Sequence, residues 1–166
     1  FENTARQTAT LADSSFDLWL DGYSARQPKR KVSIYVKGAL IAMILDWRIR
    51  ELSNNTQSLD DVMHEMWRKH AVGGYTLADY KAVVQQFLGE ETADYFQKYV
   101  YGTFDLREPL QKAAVNMGLL WEELPPEAIN EAQYGFRIQQ QQGKCVVSSI
   151  APESPAKRNF LYKMKL

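Results

Sequence analysis

The chain has 166 residues, sets 20 Lys+Arg against 20 Asp+Glu for a formal net charge of +0, and is 45% hydrophobic and 12% aromatic. This is the composition of a folded globular protein, one domain or one domain with part of another. Charge balance argues against a nucleic acid or an anionic membrane as partner, either of which favours a basic excess or stripe. Cys145 is the single cysteine, so no intramolecular disulfide forms and a Cys-based metal site has no basis. Its place in an apparent strand predicts a small buried hydrophobe.

The opening "FENTARQT" has neither an initiator methionine nor a signal-peptide pattern, and "LYKMKL" closes the chain without an obvious stop. Both ends are expected to be cut from something longer. A short helix is predicted around Ser15 to Tyr23, carrying Phe16, Leu18, Trp19 and Leu20. Pro28 and the basic run "RQPKRK", Arg26 to Lys31, then break the chain and read as a solvated linker. A second helix is predicted from about Val32 to about Leu52, apolar nearly all round, as in a helix surrounded by others. Its longest apolar run, Gly38 to Leu45 between Lys37 and Asp46, falls far short of the roughly 20 residues of a membrane span.

"SNNTQ", Ser53 to Gln57, reads as a polar turn. Ser58-Leu-Asp-Asp61 and Thr76-Leu-Ala-Asp79 each place a carboxylate three residues after an N-cap hydroxyl and start a helix. "VGGY" between them supplies a stop. Further helices are predicted at about Glu91 to Tyr101 and about Glu108 to Met117, before Gly118. "LLWEELPPEA" reads as a strand running into a Pro-Pro break, and "YGFRIQ" and "KCVVSSI" as strands with a hairpin tip at Gln139 to Gln142. The predicted fold is mainly α: a multi-helix domain over 1–125 and a small β-rich segment over 126–166, divided near Pro125 to Asn130.

"HEMWRKH", His64 to His70, opens like a zinc-protease signature but separates its histidines by six positions instead of four. That turns the second ring by about 240°, and no third ligand is visible. Asp60-Asp61, Glu90-Glu91 and Glu122-Glu123 fit helix starts or solvated faces. There is no Ser-His-Asp set and no Gly-rich phosphate loop. One residue stands out: Tyr35, a phenol at the polar head of the most apolar helix. Taken alone it fits a packed ring with its hydroxyl at the surface.

"SIYVKGALIAMILDWRIR" (Ser33 to Arg50), with "SSFDLWLDGY" before it and "SLDDVMHEMWRKH…GGYTLADYKAVV" after it, resembles the glycyl aminopeptidase family of zinc metallopeptidases, relatives of the thermolysin-like and aminopeptidase N enzymes. "FQKYVYGTFDL", Phe96 to Leu106, is similar to a further family segment. The resemblance implies a C-terminal portion of an enzyme whose zinc is held by His-Glu-x-x-His and a further Glu in an upstream catalytic domain of the same chain. None of those ligands is here, so no metal residue carries over and this fragment by itself is expected to bind no zinc and to be inactive. Tyr35-Val36-Lys37-Gly38 matches the Tyr-x-Lys-Gly motif of the related aminopeptidases, whose tyrosine hydroxyl donates to the oxyanion formed on the peptide carbonyl. Ile34 stands where the family often has a second tyrosine.

"YGFRI" and then "CVVSSIAPESPAKRNFL" resemble the first half of a PDZ domain. That implies peptide binding by strand addition at Gly135, Phe136, Arg137 and Ile138, with backbone N–H groups of the Gly-Phe loop holding a terminal carboxylate. A plain hairpin that caps the helical part is the alternative. The expected function is thus a part of a zinc aminopeptidase that removes small N-terminal residues, Gly or Ala, from peptides. The competing expectation is a non-catalytic helical scaffold with a PDZ-type peptide-binding module.

Overall fold

A computed structural model of the chain describes residues 4–21, 31–124, 127–151 and 154–158. The fold is mainly helical and carries a two-stranded antiparallel sheet near its C-terminal end. Two compact units are present, Ala5–Trp121 and one that takes in the chain from Glu122 onward.

In the first unit a 3₁₀ turn, Thr4–Gln7, precedes α1 (Leu11–Asp21) and α2 (Ile34–Leu52). Helix α1 begins earlier than the apolar residues suggest. The Thr10 hydroxyl accepts from the Asp13 N–H at 2.9 Å and donates to the Asp13 carboxylate at 2.7 Å, so the helix is capped ahead of Phe16. Phe16, Trp19 and Leu20 are exposed. Pro28, Tyr23 and the basic run up to Arg30 lie outside the described residues. Lys31 donates from Nζ to the carbonyl of Asp17 at 3.0 Å.

Helix α2 is buried on one stripe only: Lys37, Ile41, Ile44, Leu45 and Ile49 face inward, while Tyr35, Val36 and Leu52 are exposed. The expectation of enclosure on every side is corrected here. The buried positions repeat every three to four residues, the period of a helix with one packed face.

The next starts fall where the sequence puts them. Ser58 precedes α3 (Leu59–His70), its N–H donating to the Asp61 carboxylate at 2.8 Å, and Thr76 precedes α4 (Leu77–Leu88) with the same bond to Asp79 at 2.8 Å. Gly73 and Gly74 separate them at φ 98° and 77°, a region in which a Cβ is strained. The predicted helix at Glu91 is α5 (Glu91–Tyr95), which runs into a π-helical turn, Phe96–Val100. Helix α6 (Arg107–Asn116) completes the set.

The core gathers Ile44, Leu45 and Ile49 of α2, Val62 and Met66 of α3, Val83, Val84 and Leu88 of α4, Tyr95, Phe96, and Leu110 of α6. No strand forms over Leu119–Leu124. Trp121 packs instead against the helical core, which draws this segment out of any ladder. Pro125 and Pro126 lie outside the described residues.

In the second unit β1 (Phe136–Gln141) pairs with β2 (Lys144–Ile150), with an irregularity between Arg137 and Ile138. The tip is Gln142-Gly143, at φ 50° and 76°, not Gln139 to Gln142, because the other glutamines pair in the ladder. Cys145 is exposed, against the expectation of burial. Every β2 residue before Ile150 is exposed as well, so its position in a strand secures it no cover.

Candidate active site

Ser33 ends an extended stretch and caps α2, its hydroxyl accepting from the Val36 N–H at 3.2 Å. Tyr35 therefore sits in the first helical turn, where its side chain is 64% exposed. Two residues on, the chain has rotated by about 200°, and Lys37 points inward with only 8% of its surface exposed. Burial pulls the Lys37 ammonium below the ordinary lysine value of 10.5. Its Nζ donates to the carbonyl of Gly102 at 3.4 Å.

The segment that receives Lys37 is built tightly. The Tyr101 N–H donates to the Phe96 carbonyl at 3.0 Å, closing the π turn, and the chain then folds back so that the Phe104 N–H reaches the Lys98 carbonyl. A Cβ at Gly102 would lie 2.7 Å from the carbonyl oxygens of both Gln97 and Lys98, so only glycine fits. One turn before, the Tyr95 hydroxyl donates to the Ile41 carbonyl at 2.8 Å. Burial, then the nearby Tyr80 and Tyr99, push that phenol far above its ordinary value. It stays neutral and stays a donor. Tyr95 packs edge-on to Phe96, whose ring centroid is 5.4 Å away.

Ile41 follows Lys37 by one turn on the same face of α2. Both are thus met by the segment 95–102, while Tyr35 lies on the other side of the helix. Sequence reasoning marked Tyr35 and both segments but not this connection. The lysine in an otherwise apolar stripe was the available signal. Gly38, which completes the motif, has open space where a Cβ would be.

His64 is exposed, and His70 stands edge-on to Tyr75 at 6.5 Å. Among the described residues no group of three His, Cys, Asp or Glu side chains could hold a metal ion. No helix is long and apolar enough to cross a membrane among the described residues.

In the second unit Gly135 adopts φ 71°, and its N–H donates to the Glu131 carbonyl at 3.1 Å. A Cβ there would meet the Ser154 Cβ at 2.4 Å. The Phe136 carbonyl accepts from Asn130 Nδ2 at 2.8 Å. Arg137 forms a two-pronged pair with Glu131, both bonds 2.8 Å, which holds the Glu131 carboxyl below its usual range. Ile138 is half exposed.

No curated protein and no solved structure matches the chain. The family model for M61 glycyl aminopeptidase matches residues 1–41, a span that holds α1, the capped start of α2 and the whole of Tyr35-Val36-Lys37-Gly38, and it supports a peptidase-related chain.

Proposed function

We propose that this chain is part of a zinc-dependent aminopeptidase that removes small N-terminal residues from peptides, and that Tyr35 donates a hydrogen bond to the carbonyl oxygen under attack. The observation that carries this is the family-model match over residues 1–41, with Tyr35-Val36-Lys37-Gly38 inside it. The exposed phenol on the first turn of α2 supports it further. Peptide hydrolysis concentrates negative charge on that oxygen as the adduct forms. A neutral donor held in place stabilises the charge when it develops, and one such donor is worth about 10²–10³ in rate. The zinc and its ligands belong to residues other than those described, in the upstream catalytic domain. The helical unit contributes the cleft wall.

Residues 126–166 are proposed as the opening part of a PDZ-like module. Gly135 in the left-handed region immediately before Phe136 and strand β1 favours this, and it is also the observation that favours a non-catalytic peptide-binding scaffold. Zinc bound by the complete protein would rule the scaffold out.

The decisive experiment is hydrolysis of a glycyl or alanyl anilide by the complete zinc-loaded protein that carries this chain, with and without Tyr35→Phe. The expected result is a fall in kcat by about 10²–10³ with KM little changed. An active enzyme indifferent to the change overturns the role of Tyr35.

A further inference from the structure

We infer that Tyr95 and Lys37 are positioning residues for Tyr35, acting through the Ile41 and Gly102 carbonyls; this rests on Tyr35 being the oxyanion donor. Catalysis by a hydrogen-bond donor needs the donor fixed where charge will appear, since a donor that must be reoriented loses much of its worth. Tyr35 lies in the first turn of α2, where the backbone N–H groups have no intrahelical acceptors, and the Ser33 hydroxyl there accepts from the Val36 N–H.

The opposite face of the same two turns is held by two bonds from a single segment. Tyr95 Oη donates to the Ile41 carbonyl at 2.8 Å, and Lys37 Nζ donates to the Gly102 carbonyl at 3.4 Å. Tyr95 is buried and ringed by Phe96 and Tyr99, so it has no freedom to follow a moving helix. At Gly102 the chain passes close enough to the Gln97 and Lys98 carbonyl oxygens that an added Cβ would lie 2.7 Å from both, which restricts the backbone that carries the acceptor. Ile41 is about 9 Å along the axis from Tyr35, and Lys37 lies between them. The two bonds therefore bracket the turn behind Tyr35 and tie it to the segment 95–102.

Nothing in core packing requires a lysine in the buried stripe, because an ammonium is costly to bury and its bond to Gly102 is long. Its place in the stripe is accounted for by what it orients.

The test is a double-mutant cycle in the complete zinc-loaded protein, with hydrogen exchange of the amides of residues 33–41 followed in the same samples. Tyr95→Phe keeps the ring and removes one bond. The expected result is a kcat lowered by about 10- to 100-fold, KM unchanged, faster exchange over 33–41, and Tyr35→Phe/Tyr95→Phe no slower than Tyr35→Phe alone. Should Tyr95→Phe fail to fold, Lys37→Met takes its place in the cycle with the same expectations. If Tyr35→Phe slows the enzyme but the second change leaves kcat and exchange as they were, or the two effects multiply, positioning is overturned and the donor role stands. If Tyr35→Phe itself has no effect on kcat, both fall together.

Discussion

The Lys37 ammonium reaches the Gly102 carbonyl across 65 positions of sequence, at 3.4 Å, from inside a stripe that is otherwise isoleucine and leucine. It joins the head of α2 to the turn after the π-helical segment, and several measurable consequences come from that join and its neighbours.

Lys37 makes stability depend on pH at the alkaline end. Its folded pKa lies below 10.5, the value of the unfolded chain. Between the two, the unfolded chain holds a proton that the folded one has released, so Lys37 raises stability as pH climbs through that window. Tyr95 acts in the opposite sense: its folded pKa lies above the ordinary 10.0, so its contribution is lost as pH rises past that value. Subtracting the curve of Lys37→Met from that of the wild type isolates the lysine. The difference should favour the variant most at neutral pH and shrink towards pH 10.5, read from urea midpoints. A flat difference would mean that the ammonium is well solvated.

Ser14 links α1 to the approach of α2. Its hydroxyl donates to the Thr10 carbonyl at 2.8 Å and accepts from the Val32 N–H at 3.1 Å, and both Ser14 and Val32 are buried. Ser14→Ala strands a buried N–H, and the cost is expected at about 1–3 kcal/mol. Chemical denaturation measures it; a change under half of that would mean water replaces the hydroxyl.

The two glycines that flank the join should respond oppositely to alanine. At Gly102 the new Cβ meets two backbone carbonyls at 2.7 Å, and a loss of about 1–3 kcal/mol is expected from overpacking. At Gly38 it meets nothing within 4 Å. Inside a helix Gly→Ala then stabilises by about 0.5–1 kcal/mol, because the unfolded chain has fewer states to lose. Thermal melts of the pair test the contrast directly.

Leu45 is 1% exposed at the centre of the helical core. Leu45→Ala should cost about 2–5 kcal/mol, the spread reflecting how far α3 and α4 can close on the gap. Equilibrium unfolding gives the value, and a cost below 1 kcal/mol would show that the site collapses fully.

Most helix starts in this chain are local chemistry and are legible without a structure. Ser58 and Thr76 cap α3 and α4 because hydroxyl, backbone N–H and carboxylate lie within four residues of one another. The same four letters, Thr10-Leu-Ala-Asp13, mark the start of α1, where the weight of Phe16, Trp19 and Leu20 draws attention further along. The paired glycines after α3 and the hairpin strands are legible for the same reason.

What the tertiary structure alone decided is which side chain meets which distant backbone. Cys145 lies on an open strand instead of in a core, Trp121 leaves the extended segment to pack on helices, and the π turn at Phe96–Val100 is shaped by the chain folding back over it. The Tyr-x-Lys-Gly pattern was readable as a motif, yet the inward turn of Lys37 and the bond from Tyr95, 54 positions from Ile41, were not. Capping is settled by neighbours in sequence. The partners of a buried lysine and a buried phenol are settled only when the whole core closes around them, since either group is stable there only with an acceptor that the packing itself delivers.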